Sequence, residues 1–425
     1  MEPSAWLLLS WLASFSGRHS DQLGRHMKGK KNLFCLATSW HGRNAFCLGN
    51  ELVRLTTLTG GGHIAEFRFA DGTGFPTLNP LWVPPWPTME PYRYRESVHA
   101  SRYGSLVEGK LLSGIVGHNI CLDYFGSPSP EEVKEGLSQH GEAPSAKWHK
   151  ARLRLNTWVV ALTLRTTLPV AGLTFTREIK LRRGESVVYF QETVQNDRKA
   201  DHFFHWTQHV TLGPPFLSDR SSFVALPGTK GITFPYGYDE GRALLRSSDL
   251  FRWPKATTRW GETIDLTRPF VRRGWGFVAS VLLDPQKTVG YIAGVNPRER
   301  LLIGYCFNRQ EFPWVAVWEE NCAIKAPPWS RRTQARGLEF STNPIPVPRR
   351  EAFALGNLFG TPTLSYVPAK GRRTVKYLAF LAQVPSGFAK VHNIQLADSE
   401  IRVRGPRKKS VAVSASRLRE YNIGS

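Results

Sequence analysis

The sequence predicts an all-β fold, a large antiparallel β-sandwich, and three observations support that prediction. Short runs rich in β-branched and aromatic residues recur along the chain between clusters of Gly and Pro. One of them, Leu173–Leu181, alternates apolar and polar residues, and the turn Arg182–Glu185 separates it from a second alternating run, Ser186–Val194, as in a β-hairpin. Helical character is limited to one short segment, Pro130–Leu137, where Pro and acidic residues suit a first helical turn. Many short strands separated by turns favour a sandwich or barrel over a βαβ fold.

Further strands follow from the same pattern. We expect them at Trp158–Leu164, Phe277–Leu283, Val289–Val295, Leu301–Phe307, Trp314–Trp318, Val375–Ala382 and Ile394–Val403. Gly60–Gly62 precedes a strand-like run, so we interpret it as a turn between strands and not as a phosphate-binding loop. The segment Asn79–Pro91 is rich in Pro and Trp, and it is predicted to be an irregular loop because Pro removes donors from a β-ladder.

The chain is strongly basic, with 56 Lys and Arg against 34 Asp and Glu and a formal net charge of +22. Such a charge attracts nucleic acid, anionic lipid or acidic polysaccharide when it is concentrated on one surface. Most of the basic residues are scattered, with pairs such as Arg182–Arg183 and Arg372–Arg373, and only Arg407–Lys409 forms a compact run. Because no nucleic-acid-binding motif accompanies them, we expect dispersed surface charge and no nucleic acid partner.

Length alone leaves the number of domains open, because a β-sandwich often exceeds about 200 residues as one unit. We divide the 425 residues into an N-terminal extension (1–32), a sandwich domain (33–403) and a basic C-terminal tail (404–425). The apolar stretch Ala5–Phe15 is shorter than the about 20 residues that span a bilayer. It is either the centre of a signal peptide or part of an over-long start before Met27. We therefore predict no membrane span and a cytoplasmic protein, or a secreted or periplasmic one if the stretch is a signal.

The cysteines and histidines argue against structural cross-links and metals. The five cysteines are odd in number and form no CxxC motif, which disfavours a disulfide scaffold and a zinc ribbon. A single bridge between Cys35 and Cys47 stays open as an alternative. His205 and His209 would lie about 13 Å apart along one strand, too far to bind one ion directly. We predict no metal and no cofactor.

Three segments hold residues suited to acid/base chemistry. The predicted loop Gln139–Pro144 contains His140 and Glu142, and loops on a rigid scaffold often carry functional side chains. His209 lies in a strand-like run, where a side chain with a pKa near neutrality suits proton transfer, and the alternative is a cross-strand or surface histidine. Glu339 lies between apolar neighbours near a strand end, where burial would raise its pKa and make it a base.

The segment Trp314–Trp329 holds three tryptophans together with Glu319 and Glu320. Exposed aromatic rings stack on the C–H faces of sugars, and carboxylates accept hydrogen bonds from hydroxyl groups. Trp318 and Glu319 are therefore candidates for sugar contact, although the commoner place for a Trp is the hydrophobic core.

In their order along the chain, these elements resemble the aldose 1-epimerase, or galactose mutarotase-like, family between Leu58 and Pro385. The shared features are a glycine turn within Leu58–Phe69, the pair His140–Gly141, the segment Val194–Asp197 leading to His209, and the pair Leu338–Glu339. The resemblance implies an antiparallel supersandwich with a sugar cleft, and an enzyme that interconverts the α and β anomers of an aldose by opening the ring at C1. It also implies Glu339 as the base, His209 as the acid, and His140 as a second histidine that binds the sugar and polarises its ring oxygen.

The family also carries a sugar-binding Asp and a sugar-binding Arg, which this sequence does not place uniquely. Asp239, Asp265 and Asp284 lie in the stretch expected for the Asp, and Glu319 or Glu320 are substitutes for it. The candidate substrate-binding set is His140, Glu142, His118, Asn119, Arg102, Trp318 and Glu319. The implied partner is a mono- or oligosaccharide, whereas the oligomeric state stays open. The alternative functions are a non-catalytic glycan-binding domain and an accessory domain related to polysaccharide lyases, whose acidic substrates would suit the basic charge.

Overall fold

A computed structural model describes residues 33–219, 221–421 and 423. The predicted N-terminal extension and its apolar stretch lie outside these residues. The strands are β1 (Phe34–Trp40), β2 (Arg43–Gly49), β3 (Val53–Leu58), β4 (Ile64–Phe69), β5 (His118–Cys121), β6 (His149–Leu155), β7 (Val159–Leu168), β8 (Leu173–Arg182), β9 (Val187–Asn196), β10 (His202–Phe204), β11 (Thr207–Leu212), β12 (Phe223–Ala225), β13 (Gly228–Thr233), β14 (Leu250–Arg252), β15 (Lys255–Thr257), β16 (Thr263–Asp265), β17 (Trp275–Leu283), β18 (Val289–Asn296), β19 (Leu301–Asn308), β20 (Trp314–Asn321), β21 (Gln334–Ser341), β22 (Asn357–Leu358), β23 (Thr361–Pro362), β24 (Ser365–Val367), β25 (Arg372–Gln383), β26 (Asn393–Ala397), β27 (Glu400–Arg404) and β28 (Ser410–Ser414).

The helices are few and short. They are α1 (Glu96–Tyr103), α2 (Leu106–Leu112), α3 (Pro130–Lys134) and α4 (Arg349–Leu355), with single 3-10 turns at Pro91–Arg93, Ala143–Ser145, Asp239–Gly241 and Leu418–Tyr421. The predicted helix at Pro130 is confirmed as α3, and Ser129 and Glu132 form a reciprocal capping box at its start. Over the described residues, no helix has both the length and the apolar character that a bilayer crossing requires.

Two large antiparallel sheets form the sandwich, so the all-β prediction is confirmed. One sheet has 13 strands in the order β1-β2-β3-β4-β5-β11-β21-β20-β17-β13-β14-β15-β16, and the other has eight in the order β12-β18-β19-β25-β9-β8-β7-β6. The largest apolar cluster contains residues of both sheets. Within it, the ring of Phe340 in β21 stacks on Phe307 in β19, with centroids 4.2 Å apart. The side chains on one face of each sheet therefore form a shared core, as in other sandwiches.

The predicted hairpin is confirmed, because β8 and β9 pair antiparallel from Leu173 opposite Asn196 to Leu181 opposite Val188. The glycine turn at Gly60–Gly62 and the irregular Pro-rich loop at Asn79–Pro91 also form as expected.

The single strand expected at Ile394–Val403 is wrong. This stretch is a hairpin of β26 and β27, with Ala397 opposite Glu400. Apolar residues continue on both sides of a tight two-residue turn, so the alternating pattern alone does not reveal the reversal. β28 adds to β27 and completes a separate three-stranded sheet. The stretch assigned to a basic tail thus contains a strand, and its buried Val413 and Leu418 contribute to a second apolar cluster.

The five cysteines are free thiols, including Cys35 and Cys47. These two lie on the neighbouring strands β1 and β2, but each is directly opposite a leucine.

Candidate active site

A cleft of about 600 Å³ opens beside the 13-stranded sheet. This volume is typical of small-molecule sites. Its walls come from α2, the loops before β6 and after β13, and the segment after β20. Its lining includes Glu108, Leu111, Phe125, Ser127, Gln139, His140, His209, Phe234, Tyr236, Tyr238, Asp239, Glu240, Val278, Trp318, Trp329 and Glu339. Predicted site residues from three separate parts of the chain therefore share one cavity.

Strand register aligns three polar residues across the sheet beside this cleft. His209 in β11 is directly opposite Asn119 in β5 on one side and Glu339 in β21 on the other. Directly opposite residues in antiparallel strands point to the same face of the sheet. Asn119 is fully buried, and neither its amide nitrogen nor its carbonyl oxygen has a hydrogen-bond partner. The row therefore combines an imidazole, a carboxyl group and an unsatisfied amide.

The imidazole and carboxyl group of this row lie close together. His209 Nε2 is 3.2 Å from Glu339 Oε1, and both side chains are almost completely buried. Glu339 Oε1 nevertheless accepts no hydrogen bond. Burial raises the pKa of Glu339 well above its ordinary value, because desolvation disfavours the charged form. Burial and then the neighbouring His140 lower the pKa of His209 well below its own ordinary value. The pair therefore favours a neutral carboxylic acid beside a neutral imidazole.

A glycine makes room for the Glu339 carboxyl group. Gly337 precedes Glu339 by two residues, so it lies on the same face of β21. A Cβ atom at Gly337 would lie 2.2 Å from Glu339 Oε1, so any other residue there would displace the carboxyl group from its present position. Thr211 and Trp318 lie directly opposite Gly337 on its two sides. The hydroxyl of Thr211 lies 3.0 Å from His209 Nδ1, and the ring of Trp318 packs edge-on against His209. These neighbours orient the imidazole.

The loop before β6 brings the second histidine to the cleft. His140 and Gly141 both have left-handed backbone conformations, with φ of 66° and 80°. A Cβ atom at Gly141 would lie 2.3 Å from the carbonyl oxygen of Leu122, so this position requires glycine. His140 Nδ1 donates a hydrogen bond to the carbonyl oxygen of Phe125, which leaves Nε2 as an acceptor. Burial lowers the pKa of His140 to about 4, so the imidazole is neutral near pH 7.

The rings of His140 and His209 lie 5.1 Å apart between centroids. The cleft thus presents two neutral imidazoles and one carboxyl group within the span of a sugar ring.

A tyrosine and a tryptophan form part of the cleft wall. Trp318 Nε1 donates to the hydroxyl of Tyr238 at 2.9 Å, and this hydroxyl donates to Glu320 Oε2 at 2.8 Å. Glu320 Oε1 accepts from the backbone nitrogens of Ala323 and Ile324. Burial raises the pKa of Glu320 to about 7, although its hydrogen bonds act in the opposite direction. Glu320 therefore anchors the wall behind the lining side chains.

Strand parity separates neighbouring candidates. Glu319 points away from Trp318, and its carboxylate forms a buried ion pair with Arg336 and accepts from the backbone nitrogen of Phe270. His118 likewise points away from Asn119 into the sandwich core, where its Nε2 lies 2.9 Å from Gln208 Oε1. Neither Glu319 nor His118 lines the cleft. Of the neighbouring candidates, Trp318 and Asn119 therefore point to the sheet face that carries His209, whereas Glu319 and His118 point to the other face.

Two further predicted residues lie outside the cleft. Glu142 accepts hydrogen bonds from the backbone nitrogens of Val170 and Ala171, so it ties its loop to the turn after β7. Arg102 is exposed on α1, with its guanidinium carbon 5.9 Å from the ring centroid of Tyr103. Neither residue lines the cavity.

Sequence reasoning missed several residues that line the cleft, namely Glu108, Tyr238, Glu240 and Trp329. The family's sugar-binding Asp had no assigned position, and of Asp239, Asp265 and Asp284, which lie in the stretch expected for it, only Asp239 lines the cleft. Asp239 lies in a short turn between β13 and β14, and its Oδ2 accepts from the backbone nitrogen of Lys325. For Glu339, the glycine two residues before it is the feature of the sequence that indicates space for the carboxyl group.

Across the described residues, no group of three or more His, Cys, Asp and Glu side chains has the geometry of a metal site.

No protein-family profile and no curated protein matches the sequence. Solved structures do match. A candidate aldose 1-epimerase from Klebsiella pneumoniae has a TM-score of 0.56 and 13% identity, over 85% of this chain and 86% of that one. A galactose mutarotase-like protein from Clostridium acetobutylicum has a TM-score of 0.54 and 11% identity, over 83% and 99% of the two chains. A candidate mutarotase, YeaD, from Salmonella typhimurium has a TM-score of 0.52 and 10% identity, over 85% and 99%.

These similarities establish the fold. The chain is a galactose mutarotase-like β-sandwich, and the resemblance inferred from the sequence is confirmed at that level. At such low identities, the site residues of this chain must be argued from its own geometry.

Proposed function

We propose that the cleft binds an aldose and interconverts its anomers by acid/base ring opening at C1. One observation carries the proposal: His209 and Glu339 meet at 3.2 Å at the base of a cavity of about 600 Å³. A carboxyl group and an imidazole at this distance can each exchange a proton with the same small sugar.

Glu339 serves as the base. Its ionised form takes the proton of the anomeric hydroxyl while the bond between C1 and the ring oxygen breaks, so that C1 becomes a carbonyl. A raised pKa makes this carboxylate a stronger base than an exposed glutamate. Glu339 Oε1 is buried without a hydrogen-bond partner, so a sugar hydroxyl would satisfy it.

His209 serves as the acid that protonates the ring oxygen. A lowered pKa makes its imidazolium form a stronger acid than an ordinary histidine. The pair needs to carry only one proton for ring opening. Glu339 gains a proton from the anomeric hydroxyl as His209 loses one to the ring oxygen. Rotation about the bond between C1 and C2 then presents the other carbonyl face, and the reverse transfers close the ring.

The remaining groups bind and orient the sugar. Neutral His140 offers Nε2 as an acceptor to a sugar hydroxyl in the cleft. Asp239 can accept from hydroxyl groups at the mouth, where it is a candidate for the Asp that the family resemblance implies. The half-buried ring of Trp318 provides an apolar face for sugar C–H groups.

The test is the rate at which freshly dissolved α-glucose and α-galactose reach anomeric equilibrium, followed by polarimetry and by NMR of the anomeric protons. The protein should accelerate the approach well above the buffer rate. Glu339→Gln and His209→Asn should each reduce kcat by about 10²–10⁴-fold. Glu299→Gln is the matched control, because Glu299 is exposed in the turn between β18 and β19.

Sugar binding without any acceleration over buffer would reject the enzymatic proposal and leave the alternative of a non-catalytic glycan-binding domain. The cleft lining contains no Lys or Arg, so it offers no support for the alternative of a lyase-related site for acidic polysaccharide.

A further inference from the structure

The charge of the cleft is opposite to that of the whole chain. The chain has a formal net charge of +22. The cleft lining nevertheless contains the carboxylates of Glu108, Asp239 and Glu240, together with the neutral carboxyl group of Glu339, and no Lys or Arg. A concave site lined by one sign of charge focuses its field on the ligand. The basic character of the sequence therefore does not describe the site.

Two of these carboxyl groups have no compensating charge. Within the described part of the chain, no Lys, Arg or His nitrogen lies within ion-pair distance of Glu108 or Asp239, whereas Glu240 has Arg331 at 3.9 Å. Partial desolvation and then the nearby charge of Asp239 raise the pKa of Glu108. Glu108 on α2 and Asp239 in the turn after β13 line the same cavity, and the charge of Asp239 acts on Glu108. Like charges held together in this way are relieved by a bound cation.

A buried unsatisfied carboxyl group in the same cavity points independently to a polar ligand. Glu339 Oε1 lines the cavity and lacks a hydrogen-bond partner. Such groups cost free energy unless a ligand or water satisfies them. The acidic mouth therefore leads to a built polar site.

We propose that the cleft selects sugars that carry a protonated amino group and rejects sugars that carry a phosphate or carboxylate group. This rests on the proposed function only in that the ligand is a sugar. The ammonium group would lie between Glu108 and Asp239, where it donates hydrogen bonds to both. A phosphate or carboxylate group in the same place would meet carboxylates without a basic partner.

The experiment compares glucosamine with glucose, N-acetylglucosamine, glucose 6-phosphate and glucuronic acid slightly below pH 7. Two quantities are measured for each sugar: kcat/KM for anomer interconversion by NMR, and Kd by ligand-observed NMR titration. N-acetylglucosamine is the neutral analogue of glucosamine. The variants are Glu108→Gln and Asp239→Asn, with Glu299→Gln as the control for loss of one remote carboxylate.

We expect glucosamine to bind about fivefold or more tightly than glucose, and glucose 6-phosphate and glucuronic acid to bind more weakly than glucose. The ratio of the glucosamine and glucose affinities should fall towards one in Glu108→Gln and in Asp239→Asn, and it should stay unchanged in Glu299→Gln. High salt should reduce the ratio, because screening weakens charge–charge contacts that solvent can reach.

Equal affinity for glucosamine and glucose, or tighter binding of glucose 6-phosphate, would overturn the inference even if every sugar is interconverted. Selective glucosamine binding without interconversion would uphold it and reject the enzymatic proposal. If no sugar binds at all, both proposals fail.

Discussion

Replacing Glu339 by Gln should remove catalysis and at the same time stabilise the fold at neutral and alkaline pH. The carboxyl group is almost completely buried, and its Oε1 has no hydrogen-bond partner. A buried group of this kind costs about 1–3 kcal/mol, and an ionised group costs more than a neutral one. A Gln side chain has nearly the same shape and stays neutral, and it can donate a hydrogen bond to His209 Nε2.

The pH dependence gives the sign of the effect. The folded pKa of Glu339 is raised, so its proton is held more tightly in the folded state than in the unfolded chain. The stability that this proton provides is fully present below the unfolded pKa of about 4.3, and it is lost as the pH rises through the folded pKa. Gln does not titrate. The variant should therefore gain about 1–3 kcal/mol relative to wild type between pH 5 and pH 8.

Urea unfolding at pH 5 and at pH 8, followed by tryptophan fluorescence, measures the free energy of unfolding of wild type and of Glu339→Gln. Glu299→Gln should show no comparable change, because Glu299 is exposed. A Gln variant that is less stable than wild type at pH 8, or whose difference from wild type does not depend on pH, would refute the view that Glu339 is an uncompensated buried acid.

Three further outcomes follow from the site. His140→Gln should raise KM for a neutral sugar more than it lowers kcat in steady-state polarimetry, because His140 accepts a hydrogen bond without exchanging the proton that the pair transfers. Glu320→Gln should flatten the pH dependence of the free energy of unfolding up to about pH 7. The pKa of Glu320 is raised to about 7, so its stabilising proton is lost as the pH rises through that range. An unchanged pH dependence in urea unfolding would contradict this. Arg336→Met should lower the free energy of unfolding by about 3–5 kcal/mol, because it leaves the Glu319 charge buried and unpaired. The double variant Arg336→Met with Glu319→Leu should recover most of this free energy, as measured by urea unfolding.

The site shows where sequence reasoning reaches its limit. His140, His209 and Glu339 were proposed from a family resemblance, since each is unremarkable in its local context. The glycines beside two of them carry a physical signal, because Gly141 and Gly337 leave space that a side chain would fill. The sequence alone does not show why these two positions are glycines, because the atoms that would clash are known only from the structure.

Strand parity explains why Glu319 and His118 lie away from the cleft. A strand places alternate residues on opposite faces, so the sequence predicts that Glu319 and Glu320 diverge, as do His118 and Asn119. It does not say which face borders the cleft. That choice depends on which strands pair, and β5, β11 and β21 are separated by long stretches of chain.

What the sequence determined by itself is the class of architecture, because alternating apolar residues, glycines and prolines act locally and predict strands and turns wherever they occur. The tertiary structure alone decided the register that aligns Asn119, His209 and Glu339, and the placement of Asp239 and Glu108 in one cavity. It also decided the sign of the charge at the site, which the total charge of the chain conceals. These properties arise from contacts between residues far apart in the chain, and no local pattern encodes them.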